Sequence, residues 1–439
     1  MILHIDGLSA AMLERAVHQG DLPFVRHMIE SEGYQIHPYR CGVPSTTPFA
    51  QAGILYGDNS EIPSFRWWDR ERQVLVKFGA GSTFEKVADK YSLRTRPLTQ
   101  GGACIAACYP GGGADDFGIA YQDRTYGRQD RSRSAASVLV PYLANPVHLA
   151  DWLWQTIAMA GRTTRDYVTA RSRGRHPAPR YVFMDVAEEI FVHHLTRYAV
   201  ETAMREGYSP IYAGFYAFDE TGHAFGPGDK ATKRILKHVN HTIGRIAAAR
   251  GRRYEMVVLS DHGQVDTIPF ALGKRLEALF PGQLILAASG GLAHLYFKER
   301  RSRMSFHEVM AHRPELVAAL RAMNEVALVM GREGEEDVLI ENGPGLAAYD
   351  DPDILRSQLS RLNSFQNAGD LVVFGAWREG RQANFEEQAG GHGSIGGEQL
   401  HPFVLARKEL GLDTSRVRGA HELHPMLCEL RDRLATAAA

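Results

Sequence analysis

Seven residues scattered through the chain carry side chains that could do chemistry together: Asp6, Thr47, Asp219, His223, Asp261, His262 and His392. Singly, each is ordinary. An aspartate that closes a strand is a common turn former, and Asp261-His262-Gly263 can be read as no more than a turn. His392 differs, because Gly390, Gly391 and Gly393 flank it and small neighbours let a backbone approach something closely. Mixed carboxylates and imidazoles suit zinc, and less exclusively manganese or iron. Two such ions about 4 Å apart can clamp the attacking and leaving oxygens of an in-line phosphoryl displacement. A hydroxyl beside them would complete a nucleophilic site, and Thr47 is the candidate.

The stretch Gly42-Val43-Pro44-Ser45-Thr46-Thr47-Pro48-Phe49 reads as a loop that delivers this threonine to a helix start. Pro48 suits the first helical position, where its missing N–H costs nothing. That places Thr47 at the N-cap, with a helix from Phe49 to Tyr56 and Gly57 as its stop. A hydroxyl there sits beside free N–H groups that can hold an anion. Ser45 and Thr46 are the alternative nucleophiles.

The elements that must position these residues alternate. Strand-like runs cover Ile2–Ile5, Ser209–Phe218 and Met256–Ser260, followed by Asp6, Asp219 and Asp261. Leu284–Ala288, Leu292–Phe297, Ala327–Met330, Asp337–Ile340 and Leu371–Trp377 are also strand-like. Helical periodicity covers 9–30 (broken near Gly20 and Pro23), 84–91, 147–171, 186–206, 230–249, 308–324 and 421–436. This pattern predicts an α/β fold, a three-layer α/β/α sandwich with a largely parallel central sheet. Ligands in such folds bind beyond the carboxyl ends of the strands, so the three aspartates should share one sheet edge.

Composition narrows the class. The 439 residues include 44% hydrophobic and 23% charged side chains, as in ordinary globular proteins. A formal net charge of -1 gives no bulk attraction to nucleic acid. The basic runs Arg171–Arg175 and Lys298–Arg303 read as solvated faces. Cys41, Cys104, Cys108 and Cys428 have no C-x-x-C spacing and read as free buried thiols. His193 and His194, paired on one helix without a third ligand, read as surface or packing residues. No run reaches the eighteen or so apolar residues of a membrane-spanning helix. The sequence as it stands predicts a cytoplasmic chain. The abrupt first strand predicts an upstream targeting or membrane-bound segment, which an in-frame stop codon just before Met1 would overturn.

The order Asp6, Pro44-Ser45-Thr46-Thr47, Asp219-Glu220-Thr221-Gly222-His223, Ser260-Asp261-His262-Gly263 and Gly391-His392-Gly393 resembles the alkaline phosphatase superfamily, and within it the type I phosphodiesterase/nucleotide pyrophosphatase family. The likeness runs from about residue 2 to about 405, and the motifs 257–264 and 385–405 look closer to a less characterised bacterial branch. It implies an alkaline-phosphatase-like domain over 1–439 with cap or insert segments at 120–210 and 298–388. It implies two divalent metals, zinc with manganese as the alternative. Asp219, His223 and His392 would hold one; Asp6, Asp261, His262 and the Thr47 oxygen would hold the other. It further implies hydrolysis of a small-molecule phosphodiester through a phosphothreonine on Thr47. Where family pyrophosphatases carry a phosphate-contacting asparagine, this chain has Trp67 or Trp68 with Arg66 beside them. Either Arg66 takes over that contact or the substrate is held differently, and the tryptophans would either stack on a flat substrate group or pack in the core. A phosphomonoesterase or phosphomutase-like relative is the alternative reaction, and a non-catalytic metal-binding module the alternative class. A sulfatase is disfavoured, because Cys41-Gly42-Val43-Pro44 lacks the C-x-P-x-R spacing.

Overall fold

The first strand sets the layers. Successive side chains of a strand point to opposite faces. In Ile2–Ile5, Leu3 and Ile5 enter one apolar core and Ile2 the other. His4 therefore lies on the same face as Ile2. A computed structural model describes residues 1–78, 82–92, 94, 96–117, 119, 135–172, 186–251 and 253–438 of the chain. The parts of the expected cap at 120–134 and 173–185, and most of the basic run after Arg171, lie outside the described residues.

Six strands form the central sheet: β1 (Ile2–Ile5), β2 (Tyr34–Pro38), β3 (Ala103–Ile105), β4 (Ile211–Phe215), β5 (Val257–Leu259) and β6 (Phe403–Arg407). Their order is β2-β6-β5-β1-β4-β3. β1 pairs parallel with β4 and with β5, and β3 pairs parallel with β4. Only β6 runs antiparallel to its neighbours β2 and β5. The largely parallel sheet expected from the alternation is present, and β2, β3 and β6 are the strands that the periodicity did not reveal.

Helices cover both faces. On the face of Leu3 lie α1 (Ala10–His18), α2 (Pro23–Ser31), the C-terminal half of α6 (Val186–Arg205) and α8 (Lys230–Arg250). On the face of Ile2 lie α3 (Thr47–Tyr56) and α9 (Ala420–Ala438). All ten residues of α3 are buried, as its all-round apolar sequence requires. Full burial of a Phe, Ile or Leu contributes about 1.5–3 kcal/mol, so Phe49, Ile54 and Leu55 anchor the helix that carries Thr47. Between β3 and β4 the chain also forms α4 (Ala135–Ala144) and α5 (Pro146–Ser172), and α7 (Ala217–Phe225) follows β4.

A second sheet of five antiparallel strands has its own apolar core. It joins 284–289 and 292–297 to three strands from 326–375. Three expectations need correction. The apolar run Ser209–Phe218 is a strand only over Ile211–Phe215, because Phe218 keeps the run apolar by packing into the core from α7. Asp219 is thus a helical residue, not a strand-end one. The helix expected over 308–324 is two helices, Phe306–His312 and Pro314–Arg321, because Pro314 lacks an N–H and starts a new one. His193 and His194 are buried packing residues, bonded to Thr242 and Gln155. All four cysteines are free and buried.

Candidate metal centre

Each candidate residue reaches the carboxyl edge of the sheet by a different local device. Asp6 directly follows β1, and its N–H bonds the carbonyl of Phe215 at 3.0 Å. Asp261 and His262 follow β5. Asp219 and His223 are one helical turn apart in α7, a spacing that puts both on one face; His223 Nε2 is 3.0 Å from Asp219 Oδ2. Gly7, next to Asp6, has φ of +73°, and a Cβ there would collide with the Asp219 carboxylate. His392 hangs from the short strand Gly390–Gly391, where a Cβ on Gly390 would collide with the Gly222 carbonyl of α7. Glycine at 390 is therefore what lets His392 stand beside His223.

Thr47 does not cap its helix. The N-cap is Thr46, in extended conformation, and Thr47 is the first helical residue. A capping hydroxyl would be engaged by the backbone N–H two or three residues on. One position later, Thr47 Oγ1 is instead 3.1 Å from His262 Nε2 and 3.4 Å from both carboxylate oxygens of Asp6. The two alternative hydroxyls do not share this setting. Ser45 Oγ accepts from the Gly393 N–H at 2.9 Å and bonds Gln399, and Thr46 Oγ1 is buried without a hydrogen-bond partner among the described residues.

The histidine tautomers follow from their partners. Nδ1 of His223, His262 and His392 faces the carbonyl of Gly390, Gly263 and Ser45 at 3.0, 3.0 and 2.6 Å. A carbonyl only accepts, so each Nδ1 donates and each neutral ring presents a bare Nε2. Those three nitrogens converge: His392 Nε2 is 3.2 Å from His223 Nε2 and 3.8 Å from Asp219 Oδ1, and His262 Nε2 is 3.4 Å from Asp6 Oδ1. Lone pairs facing one another beside carboxylates repel unless a cation lies among them. The donor set fits metal ions by this criterion. Among the described residues, three overlapping groups have ligand atoms mutually close enough to hold an ion: Asp219/His223/His392, Asp6/Asp219/His262 and His4/Asp6/Asp261.

Electrostatics point the same way. Burial, with Asp261 and Asp219 alongside, raises the Asp6 carboxyl well above the usual range. Burial would also raise Asp219 and Asp261, but the neighbouring histidines outweigh it and lower both. Burial would lower His223, yet Asp219 pushes it up to about 10, while burial and His262 take His392 down to about 3. The cluster holds more negative charge than its histidines neutralise, so a proton on His223 stands in where a cation would serve.

His4 and Gln51 were missed in the sequence. Gln51, one helical turn after Thr47, donates to His4 Nδ1 at 3.0 Å, so His4 Nε2 carries the proton of the neutral ring and lies 3.0 Å from Asp261 Oδ1. Gln51 also contacts Tyr216 and accepts from the Cys108 N–H. The available signal was a histidine inside a fully apolar strand. Gln264 was missed as well; its amide donates to the Asp219 carbonyl at 2.8 Å and to the Asp219 carboxylate.

The family model described as type I phosphodiesterase / nucleotide pyrophosphatase matches residues 1–379. The chain belongs to this family. It is a metal-dependent phosphoric ester hydrolase on an alkaline-phosphatase-like fold. The phosphonoacetate hydrolase of Sinorhizobium meliloti 1021, solved with phosphonoformate, is similar at TM-score 0.56 and 15% identity, covering 100% of this chain and 95% of that one. Human ectonucleotide pyrophosphatase/phosphodiesterase 5 is similar at TM-score 0.56 and 13% identity, covering 98% and 94%. An inactive threonine-to-alanine variant of the murine protein, bound to AMP, aligns at TM-score 0.51 and 13% identity over 98% and 94%. No curated protein matches the sequence.

The residues at the family's asparagine position lie in the hairpin Arg66–Asp69/Val74–Lys77. Trp67 is a core side chain, 1% exposed and packed against Phe84. Trp68 is half-buried against the same core. Arg66 is ion-paired with Glu386 and bonds the Ala288 carbonyl at 3.0 Å. Glu386 in turn accepts from the Gly290 N–H at 2.6 Å, and Gly291 bonds the His392 carbonyl at 3.2 Å. Arg66 is thus tied to the loop that backs His392.

Proposed function

We propose that this family member is a two-metal phosphodiesterase that uses Thr47 as its nucleophile. The observation that carries the reading is the position of Thr47 Oγ1, 3.1 Å from the bare His262 nitrogen and 3.4 Å from Asp6, at the end of a helix that is buried throughout. Asp219, His223 and His392 would hold one divalent ion, and Asp6, Asp261 and His262 the other. The mixed carboxylate and imidazole set suits zinc best, with manganese the alternative. When bound, such a pair lowers the pKa of a hydroxyl and clamps the oxygens of an in-line displacement.

The chain's own residues supply the rest. Asp6 and His262 flank the Thr47 oxygen, and a carboxylate oxygen of Asp6 takes its proton. Thr47 Oγ1 forms a bond to phosphorus as the ester oxygen opposite leaves, giving phosphothreonine and an alcohol. Water then hydrolyses that ester from the vacated side, returning Thr47 and releasing a phosphomonoester. His4 and Gln51 hold the Asp261 carboxylate in register with the helix that carries Thr47.

The test is a paired assay on metal-quantified protein with bis-p-nitrophenyl phosphate and p-nitrophenyl phosphate, adding phosphonoacetate as a third substrate. Faster turnover of the diester, abolished in Thr47→Ala, is the expected result. Faster turnover of the monoester or the phosphonate would overturn the diesterase assignment. Near-normal activity of Thr47→Ala would remove the nucleophile.

A further inference from the structure

Among the described residues, nine large hydrophobic side chains are exposed, and seven of them lie on α4 and α5. Val147, Trp154, Ile157 and Val168 are 71, 72, 67 and 61% exposed. Their intervals of seven, three and eleven residues return to one side of a helix, so they form a stripe along α5. Val140 of α4, 61% exposed, adds to it. Isolated exposed hydrophobics need no explanation, but a contiguous stripe does. The opposite side of α5 is already engaged. Trp152 packs on Phe191 of α6, His148 packs on Tyr198, and Gln155 bonds His194. The stripe is therefore a second apolar face that no other element covers among the described residues.

Charge selects what covers it. The described residues 135–172 contain three arginines and two aspartates, so this face is net positive in a chain whose total is -1. On α5 itself, Arg162, Arg165 and Arg171 follow the apolar turns, and Arg162 and Arg165 are exposed. A second copy of the chain would bring the same positive charge against this one. An anionic lipid surface offers both an apolar layer for the stripe and negative charge for the arginines. The helix would lie on that surface and not span it, since no described helix is long and apolar enough to cross a membrane. At 27 residues α5 offers about 40 Å of contact length.

We propose that α4 and α5 form a membrane-surface docking face for anionic lipid bilayers. The proposal stands independently of which phosphoric ester is hydrolysed.

The test is sedimentation of the full chain with vesicles of phosphatidylcholine alone and of phosphatidylcholine with phosphatidylglycerol. Selective binding to the anionic vesicles is expected, weakening as salt rises. Trp154→Glu with Ile157→Glu should lower partitioning at least about tenfold, with melting temperature and turnover of a soluble diester unchanged. Arg162→Gln with Arg165→Gln should lower anionic selectivity while keeping the fold. Absence of wild-type binding would overturn the proposal, as would binding that survives the Glu pair. A concentration-dependent dimer that the Glu pair dissociates, without vesicle binding, would assign the face to a second copy instead.

Discussion

The two halves of the candidate centre are built differently. Asp219, His223 and His392 form an open half: His223 is 17% and His392 8% exposed in its side chain, and two of the three come from one turn of α7. Their supports are mostly backbone carbonyls, plus Gln264. Asp6, Asp261 and His262 form a deep half, at most 1% exposed. Its supports include the side chains His4 and Gln51, which connect β1 to the nucleophile helix. The contrast teaches that the deep half is preorganised with Thr47, whereas the open half is where solvent and substrate meet the site. A group that must attack needs fixed geometry, and one that must admit water needs access.

Four experiments would sharpen or break this contrast. Thr47→Ala should cost more than about a thousandfold in turnover, as loss of a nucleophile does, while metal analysis still finds both halves filled. Next come the halves themselves. His223→Ala should empty only the open half and Asp261→Asn only the deep half, each lowering bound metal from about two ions per chain to about one. Elemental analysis after dialysis reads this, and loss of both ions in His223→Ala would show that the halves do not load separately. Asp219, which belongs to two of the close-packed groups, is the position where substitution should disturb both.

His4→Ala should weaken metal binding to the deep half by about 10–100-fold, the usual cost of removing a ligand's support. His4→Gln, which can still present an N–H to Asp261, should recover most of it. Chelator competition measures the affinity, and equal losses in the two variants would reduce His4 to a packing residue.

The last experiment concerns pH. In the cation-free protein Asp219 pushes His223 up to about 10, so at neutral pH the ion entering the open half displaces a proton. Affinity there should rise by up to about tenfold per pH unit from neutrality towards that value. Below it the proton competes; above it the competition ends. Calorimetry in buffers of different ionisation enthalpy counts the released proton. A pH-independent affinity would mean that His223 is already neutral without metal.

Much of this architecture is legible from one-dimensional pattern. Strand runs that end in Asp6 and Asp261 announce a shared sheet edge, and the alternation with helices announces a largely parallel sheet. Asp219 was placed one element too early, because an apolar run does not end where a strand becomes a buried helix. Thr47 was placed one position too early in its helix, because Pro48 is tolerated at either of the first two helical positions. Trp67 packs in the core, and only packing could separate that role from stacking on substrate.

The sequence by itself determined the kinds and order of the candidate ligands, since chemistry resides in side-chain type and the parallel sheet brings strand ends together. Only the tertiary structure decided how they meet. It set which nitrogen each histidine presents, because that depends on carbonyls of Ser45, Gly263 and Gly390. It brought His4 to Asp261 and Gln51 to His4 across 257 and 47 positions of chain. Such contacts leave no local pattern, because they arise where separate elements pack and not from the period of any one of them.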